Sequence, residues 1–327
     1  MDFSFTEEQE LLRRQAREYL ERRYPAERVV ELAESAEGWD PASWRELTEL
    51  GWLGVSVPEQ HGGAGLGFLE EAVIFEELGR ALYPGPYFST IALALPALPA
   101  ELQADVAAGE TVWSASLDGS LVPDLGSVDR VLVVRDGRLW AVPARGEVLE
   151  TKDATRRLGR IADADGGEEI GPEELLDGAR LRAHVALALE AVGVASRALE
   201  LGVEHAARRE QFGRPIGVYQ AVSHALADTY VETEQARSLA YWAAWCVAEE
   251  DEQAPVAASA AKAAAAEAAI AACERSIQVH GGIGFTWEHV LHRFYKRAQW
   301  IDAFGGAATA QRAAVARALL DEAAVPA

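Results

Sequence analysis

Short apolar stripes recur at helical spacing through the first third of the chain. Thr6 and Gln9 match a capping box, in which each residue caps the other's backbone, and they predict a helix start. Two further stripes end at Gly51 and before Pro84, residue types that commonly end helices. The stripes comprise Leu12, Ala16 and Tyr19, then Trp44, Leu47 and Leu50, then Val73, Phe75, Leu78 and Leu82. The pattern predicts an N-terminal helical domain over residues 1–105.

The pattern changes to short β-prone runs between about residues 108 and 152. The apolar runs 130–134 and 139–142 flank an Asp-Gly dipeptide, which favours the tight turn of a β-hairpin. The acidic, glycine-rich stretch 163–178 has few residues to pack and is predicted to be a loop. We expect a reduced middle β domain and linker over residues 106–178.

Long, alanine-rich helical patterns fill the rest of the chain. Four segments carry them, at about residues 183–211, 218–249, 256–279 and 306–322. Helices of this length joined by short loops pack as a bundle. We therefore expect a C-terminal four-helix bundle over residues 179–327, in a fold that is mainly α with a small β domain.

Charge and hydropathy narrow the classes of partner. The 327 residues carry a formal net charge of −22, which repels nucleic acid and anionic membranes. We find no apolar run of the roughly 18 to 20 residues that a membrane span needs. The N-terminus also lacks the charged-then-apolar pattern of a leader. These features predict a cytoplasmic protein with protein or small-molecule partners.

Few residues suit a disulfide or a metal site. Cys246 and Cys273 lie in alanine-rich helical sequence and are expected to be small core residues. His289 and His292 are three residues apart, but no third ligand has a recognisable spacing to them. We therefore expect no metal.

Three segments carry most of the chemical information. Residues 209–220 read REQFGRPIGVYQ and join two predicted helices, and residues 278–285 read QVHGGIGF. Residues 44–63 read WRELTELGWLGVSVPEQHGG. In their order and spacing along the chain, the three segments resemble the signature segments of the acyl-CoA dehydrogenase family, and the resemblance covers nearly the whole chain. The resemblance implies that family's fold, FAD as cofactor and α,β-desaturation of an acyl-CoA thioester.

The resemblance also implies which residues contact the cofactor, whose pyrophosphate and adenosine reach across a subunit interface in this family. Arg209 would face the pyrophosphate, since a guanidinium gives bidentate hydrogen bonds to phosphate oxygens. Phe212 would pack on the adenosine. Glycines let the main chain approach a phosphate closely. The six cofactor-binding residues expected are Arg209, Gln211, Phe212, Gln278, Gly281 and Gly282.

The sequence lacks the family's usual catalytic base at the matching position. Many members use a glutamate seven residues before the arginine of a Gln-Arg pair, to remove the proton beside the thioester. Here the pair is Gln311 and Arg312, and the matching position is Gly305. Glycine cannot accept a proton, so we expect no catalytic residue in this chain. Asp302 is three residues out of register.

Some relatives place the base on an earlier helix, and this alternative stays open. Near that place the chain has Glu249, Glu250 and Glu252, which also fit a solvated turn between helices. The middle domain lacks the family's strand motifs that hold the flavin ring. The helix expected to start near His184 lacks the arginine that usually opens it beside the substrate.

The pattern is asymmetric, because residues that serve a neighbour's FAD are present and those that serve the chain's own flavin ring are not. It is similar to the non-catalytic subunits of α2β2 acyl-CoA dehydrogenases of actinobacterial steroid side-chain degradation. The expected partner is a homologous catalytic subunit that binds most of the acyl-CoA. The alternatives are a self-sufficient homotetramer that uses a base among the three glutamates, and a scaffold without flavin.

Overall fold

The computed structural model describes residues 5–162 and 166–323. Five α-helices form the N-terminal part: α1 Glu7–Arg23, α2 Ala26–Glu34, α3 Ala42–Glu49, α4 Phe68–Ala81 and α5 Ala100–Ala107. The capping box is confirmed, since the Gln9 amide donates to Thr6 Oγ1 over 3.2 Å and the Thr6 amide donates to Gln9 Oε1 over 3.1 Å. The sequence pattern did not predict α2, α5 or the π-helix Phe88–Ala94. The first two are short, and the third is wholly buried and shows no polar face.

Two small sheets follow. Their strands are β1 Trp113–Ala115, β2 Leu121–Pro123, β3 Arg130–Arg135, β4 Arg138–Pro143, β5 Gly146–Leu149, β6 Leu158–Ile161 and β7 Glu168–Pro172. One sheet has the order β1-β3-β4-β7 and the other β2-β6-β5. The predicted hairpin is confirmed as β3 and β4, which pair antiparallel from Arg130 opposite Pro143 to Arg135 opposite Arg138.

The prediction of a loop over 163–178 is wrong for most of that stretch. β7 pairs antiparallel with β4, and helix α6 begins at Leu175. β7 is an edge strand with largely exposed side chains, so its glutamates need no apolar alternation. Glu169 instead forms an ion pair with Arg138 on β4. Residues 163–165 lie outside the described residues.

The C-terminal part is a helical bundle. It contains α6 Leu175–Arg208, α7 Gln220–Ala248, α8 Ala254–His280, α9 Leu291–Ala303 and α10 Ala308–Ala323, with the short hairpin β8 Glu210–Gln211 and β9 Arg214–Pro215 between α6 and α7. The four predicted helices are present, and α9 adds a fifth. Its apolar pattern is interrupted by Arg293 and Arg297, which are buried in ion pairs and so read as polar positions.

Helix α8 forms the centre of the bundle. Most of its alanines are buried, and so is Cys273, while Cys246 is buried on α7, which confirms both cysteines as core residues. Contrary to the sequence expectation, the segment Ala254–Phe285 is long and apolar enough to cross a membrane, with a mean hydropathy of 1.4. Because 61% of that window is buried inside the protein, its apolarity is explained by packing against α6 and α7.

A buried ionic cluster ties the sheet region to the bundle. Arg156, in the loop before β6, donates to both carboxylate oxygens of Glu190 on α6 over 2.8 Å. Arg297 on α9 donates to Asp153 Oδ2 over 2.7 Å and to Thr155 Oγ1 over 2.8 Å. All five side chains are almost inaccessible to solvent. Their charges are therefore compensated mainly by one another.

Candidate functional site

Gly305, at the position of the family's usual base, lies in the turn between α9 and α10. Its φ of +69° is in the left-handed region that favours glycine. The carbonyl oxygen accepts hydrogen bonds from His184 Nε2 over 3.1 Å and from Gln311 Nε2 over 2.9 Å. A Cβ at this position would lie 3.0 Å from His184 Nε2. A side chain at this position would therefore crowd the imidazole.

The same turn forms the wall of a cavity of about 420 Å³. The Trp300 and Phe304 rings stack there, with centroids 4.8 Å apart and planes 8° apart. Lys262 fixes the turn from behind by donating to the Asp302 carbonyl over 3.1 Å and the Gly306 carbonyl over 2.5 Å. The lining residues are Leu117, Asp118, Leu121, Leu158, Arg180, His184, Trp300, Ala303, Phe304, Gly305 and Gly306.

Asp118 and His184 are the described proton acceptors that line this cavity, and both are poor bases. Burial opposes ionisation of Asp118, but hydrogen bonds from the Ser120 and Leu121 amides hold its pKa below the usual range. Burial, with the neighbouring cations Lys262 and Arg180, lowers the pKa of His184 to about 4. A base that works near neutral pH needs a pKa near 7.

The start of helix α6 corrects the expectation about its arginine. The helix begins at Leu175, not near His184, so Arg180 and Arg182 lie in its early turns. Arg182 pairs with the buried Glu71 on α4. Arg180 lines the cavity, where its Nη2 donates to the Leu117 carbonyl over 3.2 Å. The cavity thus has an arginine that the sequence reading did not place there.

The alternative base residues lie elsewhere. Glu249, Glu250 and Glu252 are all exposed in the turn between α7 and α8, and none lines the cavity. Asp302 Oδ1 accepts the Ala308 amide over 2.8 Å and so caps α10. In the described residues, therefore, neither alternative brings a carboxylate to the cavity.

The first cofactor segment is a small, solvent-exposed hairpin. Arg209 ends α6, and Phe212 occupies the hairpin turn with φ +55° and a side chain that is 92% exposed. Gln211 precedes it on β8, and Tyr219 Oη donates to the Gln211 carbonyl over 3.2 Å. The Arg214 guanidinium lies 4.6 Å from the centroid of the Tyr219 ring. The hairpin thus holds Phe212 in the open, where it can pack on a ligand or a second chain.

The second cofactor segment is an open helix end. Gln278 is exposed on the last turn of α8, and Gly281 follows the helix with φ +64°. A Cβ built on Gly281 or Gly282 would meet no atom within 4 Å. The packing of this chain therefore does not require these glycines to lack a side chain, and an open backbone suits close approach of a phosphate.

A cleft of about 430 Å³ brings the two segments together. Arg209 lines it with His280, the residue directly before Gly281, and the rings of His205 and His280 lie 4.2 Å apart. His289 lies 4.4 Å beyond His280. Sequence reasoning missed His205 and His280. Their only signal was their place, four residues before Arg209 and one before Gly281.

The histidines do not form a recognisable metal site. His292 packs against Trp287, with ring centroids 4.7 Å apart, while His289 packs on His280. Within 5–162 and 166–323, no group of three or more His, Cys, Asp or Glu side chains could hold a metal ion.

Comparison with known proteins decides the family. A family model for the acyl-CoA dehydrogenase N-terminal domain matches residues 6–99, and one for the C-terminal domain matches residues 179–320. The chain belongs to the acyl-CoA dehydrogenase family. The mainly α fold with a small β domain is the fold of that family, and the two sheets lie between the matched segments.

Mycobacterial acyl-CoA dehydrogenases are among the most similar relatives. Acyl-CoA dehydrogenase IpdE2 of Mycobacterium tuberculosis is 37% identical over 272 residues, which cover 81% of this chain and 82% of the relative. Acyl-CoA dehydrogenase FadE34 of the same organism is 34% identical over 83% of this chain but only 41% of its own length. This acyl-CoA dehydrogenase chain thus resembles IpdE2 over most of both sequences.

Two similar solved structures come from heteromeric members of the family. The ChsE4-ChsE5 complex from Mycobacterium tuberculosis contains a chain that superposes with a TM-score of 0.91 and 27% identity, covering all of both chains. A variant of the Tcur3481-Tcur3483 steroid ACAD has a TM-score of 0.89 and 31% identity, covering 98% of this chain and 99% of that one.

Proposed function

We propose that this acyl-CoA dehydrogenase chain is the non-catalytic subunit of an FAD-dependent heteromeric enzyme that desaturates an acyl-CoA. The observation that carries the proposal is Gly305. A residue without a side chain stands at the usual base position, and the His184 imidazole lies 3.0 Å from where a Cβ would be. The described acceptors of the cavity, Asp118 and His184, are too weak to replace a glutamate base.

The chain's contribution is to hold the tail of the cofactor. FAD, when bound, supplies the hydride acceptor of the reaction. Arg209 at the end of α6 would donate to the pyrophosphate, and Gln211 would hydrogen-bond nearby. Phe212 would pack on the adenosine. Gln278, with the open backbone of Gly281 and Gly282, would complete the phosphate cradle. The open hairpin and helix end support this fit.

The partner would be a homologous catalytic subunit in an α2β2 assembly. Both cofactor segments expose a large aromatic side chain, Phe212 at 92% and Phe285 at 75%, and Trp287, just beyond the second segment, is 73% exposed. Exposed apolar groups of this size favour contact with another chain. The two heteromeric complexes among the similar structures support the same arrangement. By analogy with the steroid ACAD, and with the family resemblance of the sequence, the substrate would be a steroid side-chain CoA thioester, bound mainly by the partner.

Flavin content and activity test this function directly. The chain is purified alone and also co-expressed with a candidate catalytic acyl-CoA dehydrogenase subunit from the same genome. We expect the chain alone to be colourless and inactive. The co-purified pair should be yellow, contain one FAD per two chains and reduce a dye with an acyl-CoA.

Other outcomes would overturn the proposal. A yellow, active homotetramer of this chain alone would support the self-sufficient enzyme, and Asp118→Asn and a triple glutamine variant of Glu249, Glu250 and Glu252 would then locate its base. A stable pair without flavin would support a scaffold that uses the fold without the cofactor.

A further inference from the structure

Three imidazole rings pack in a row beside Arg209, with successive ring planes tilted by 33° and 52°, and this row is called the imidazole stack. His205 lies on α6, His280 is the last residue of α8, and His289 lies in the loop before α9. The ring centroids are 4.2 Å apart between His205 and His280, and 4.4 Å between His280 and His289. All three rings line the cleft that also contains Arg208 and Arg209. Five nitrogen-rich side chains from three parts of the chain therefore meet in one cleft.

Hydrogen bonds place the protons on two of the rings. His280 Nδ1 lies 2.7 Å from the Ser276 carbonyl oxygen, which can only accept, so Nδ1 carries the proton. The neutral ring then offers a lone pair at Nε2. His289 Nδ1 accepts the Leu291 amide over 3.3 Å, so its proton is on Nε2. In this tautomer His280 Nε2 has no proton to donate to a phosphate oxygen.

Few carboxylates lie near the imidazole stack in the described residues. Glu204 is the one carboxylate among the described lining residues, and it accepts from Arg208 over 2.7 Å and lies 3.5 Å from Arg197. Arg209 forms no ion pair within 5–162 and 166–323. Beyond His289, the next imidazole is His292, which packs on Trp287. The one carboxylate that lines the described cleft is thus already paired, and an anion in the cleft would lie beside arginines with little competing negative charge.

Burial supports the same conclusion. It lowers the pKa of His205, with further lowering by His280, Arg209 and Arg208. Burial also lowers the pKa of His289, assisted by His280 and His205. The causes other than burial are the neighbouring arginines and imidazoles, and a bound anion opposes their effect. Protonation of the stack and anion binding should therefore favour each other.

We propose that this cleft binds the phosphate groups of a nucleotide, and that the imidazole stack takes up one proton from solvent as the anion binds. The proton adds to a bare ring nitrogen, which then donates to a phosphate oxygen, and it returns to solvent when the nucleotide leaves. The inference rests on the proposed cofactor role of Arg209. It adds His205, His280 and His289 to that site and couples cofactor retention to pH.

Calorimetry with ADP-ribose tests the proposal on the full chain. This probe has the pyrophosphate and adenosine of the FAD tail, and its phosphates do not titrate between pH 6 and 8. Titrations at both pH values, in buffers with different ionisation enthalpies, report affinity and proton uptake. We expect binding to be about three- to sixfold tighter at pH 6 than at pH 8, because a one-unit rise in the pKa of one group from below its ordinary value gives less than the full tenfold effect, with net proton uptake.

Variants separate the stack from the rest of the site. His280→Asn keeps a donor toward the Ser276 carbonyl but removes the second ring nitrogen, so it should lose most of the pH dependence, with the ratio of the affinities at pH 6 and pH 8 falling toward one. His224→Asn, at an exposed position on α7, is the matched control and should behave as wild type. Arg209→Gln should weaken binding at both pH values. Circular dichroism checks that each variant is folded.

The outcomes distinguish this inference from the proposed function. Equal binding at pH 6 and 8 without proton uptake, with Arg209→Gln still weaker, would overturn the role of the stack and leave the cofactor role of Arg209 standing. Binding that is insensitive to Arg209→Gln and to His280→Asn would overturn both.

Discussion

His184 and Gly305 are joined by a 3.1 Å hydrogen bond from the imidazole Nε2 to the glycine carbonyl oxygen, across 121 positions of sequence. Gln311 donates to the same oxygen, and Lys262 donates to the carbonyl oxygen of the next residue, Gly306. The turn at the usual base position is thus fixed by three side chains. The position that lacks a carboxylate is thus also one where hydrogen bonds hold the backbone in a conformation that favours glycine.

Gly305→Ala should therefore lower the free energy of unfolding by about 1 to 3 kcal/mol, because φ is +69° and the new Cβ would crowd His184. Urea denaturation measures the loss. Gly178→Ala on α6 is the control, since a Cβ there meets no atom within 4 Å, and it should leave stability unchanged or slightly raised. Equal stability of Gly305→Ala and wild type would show that the turn can relax.

Asp124 gives a prediction with a definite pH dependence. Burial raises its pKa to about 6, against the opposing effect of Arg156, and Ser89 Oγ lies 2.8 Å from its carboxylate. Between the ordinary value of 3.8 and 6, the folded protein binds more protons than the unfolded chain, so this group's contribution to stability falls as pH rises through that window. Above it, the folded protein holds a buried carboxylate.

Asp124→Asn should consequently stabilise the protein by about 1 to 3 kcal/mol at pH 8 and by roughly half as much at pH 5, which lies near the middle of the window. Asparagine also tolerates the left-handed φ of +55°. Thermal unfolding at the two pH values measures the difference. A gain of the same size at both would mean that the carboxyl does not titrate in this range.

Glu190 should be among the most sensitive charged residues. It accepts two hydrogen bonds from Arg156, and Arg297 Nη1 lies 3.6 Å away. Glu190→Gln would leave the buried Arg156 without its paired carboxylate and should lower stability by about 3 to 5 kcal/mol. Glu147→Gln, which removes an exposed pair with Arg160, should change it by about 0.5 kcal/mol or less. Denaturant unfolding of both variants checks the contrast.

Arg209→Ala tests the cofactor cradle in the assembled complex. Loss of a charge-assisted bond to a pyrophosphate should weaken FAD retention by about 2 to 5 kcal/mol. The measurement is the FAD remaining after gel filtration and its dissociation constant by flavin fluorescence. Arg45→Ala, at an exposed position on α3, is the control. Unchanged flavin content in the Arg209 variant would contradict its assignment.

Local patterns in the sequence predicted local structure well. The capping box at Thr6 and the hairpin around Asp136 follow from neighbouring residues, and the structure confirms both. Helix α9 was missed because Arg297 lies at a buried position and is stabilised by Asp153, far away in sequence. β7 was missed because an exposed edge strand needs no apolar alternation.

The candidate sites were predictable only in part. The absence of an acid at Gly305 was readable from spacing, but the imidazole beside it comes from α6 and depends on tertiary packing. The stack of His205, His280 and His289 likewise joins three separate parts of the chain. The cofactor roles of all six residues, Arg209, Gln211, Phe212, Gln278, Gly281 and Gly282, remain predictions.

The pairing of Arg297 with Asp153 and Thr155 has a consequence for dissecting this chain. A fragment beginning at residue 179 would keep Arg297 and Glu190 but lose Asp153, Thr155 and Arg156. The buried Arg297 guanidinium would then lack the hydrogen bonds that it makes to Asp153 and Thr155. The helical bundle is therefore a poor candidate for excision as an autonomous folding unit, even though a family model matches it separately.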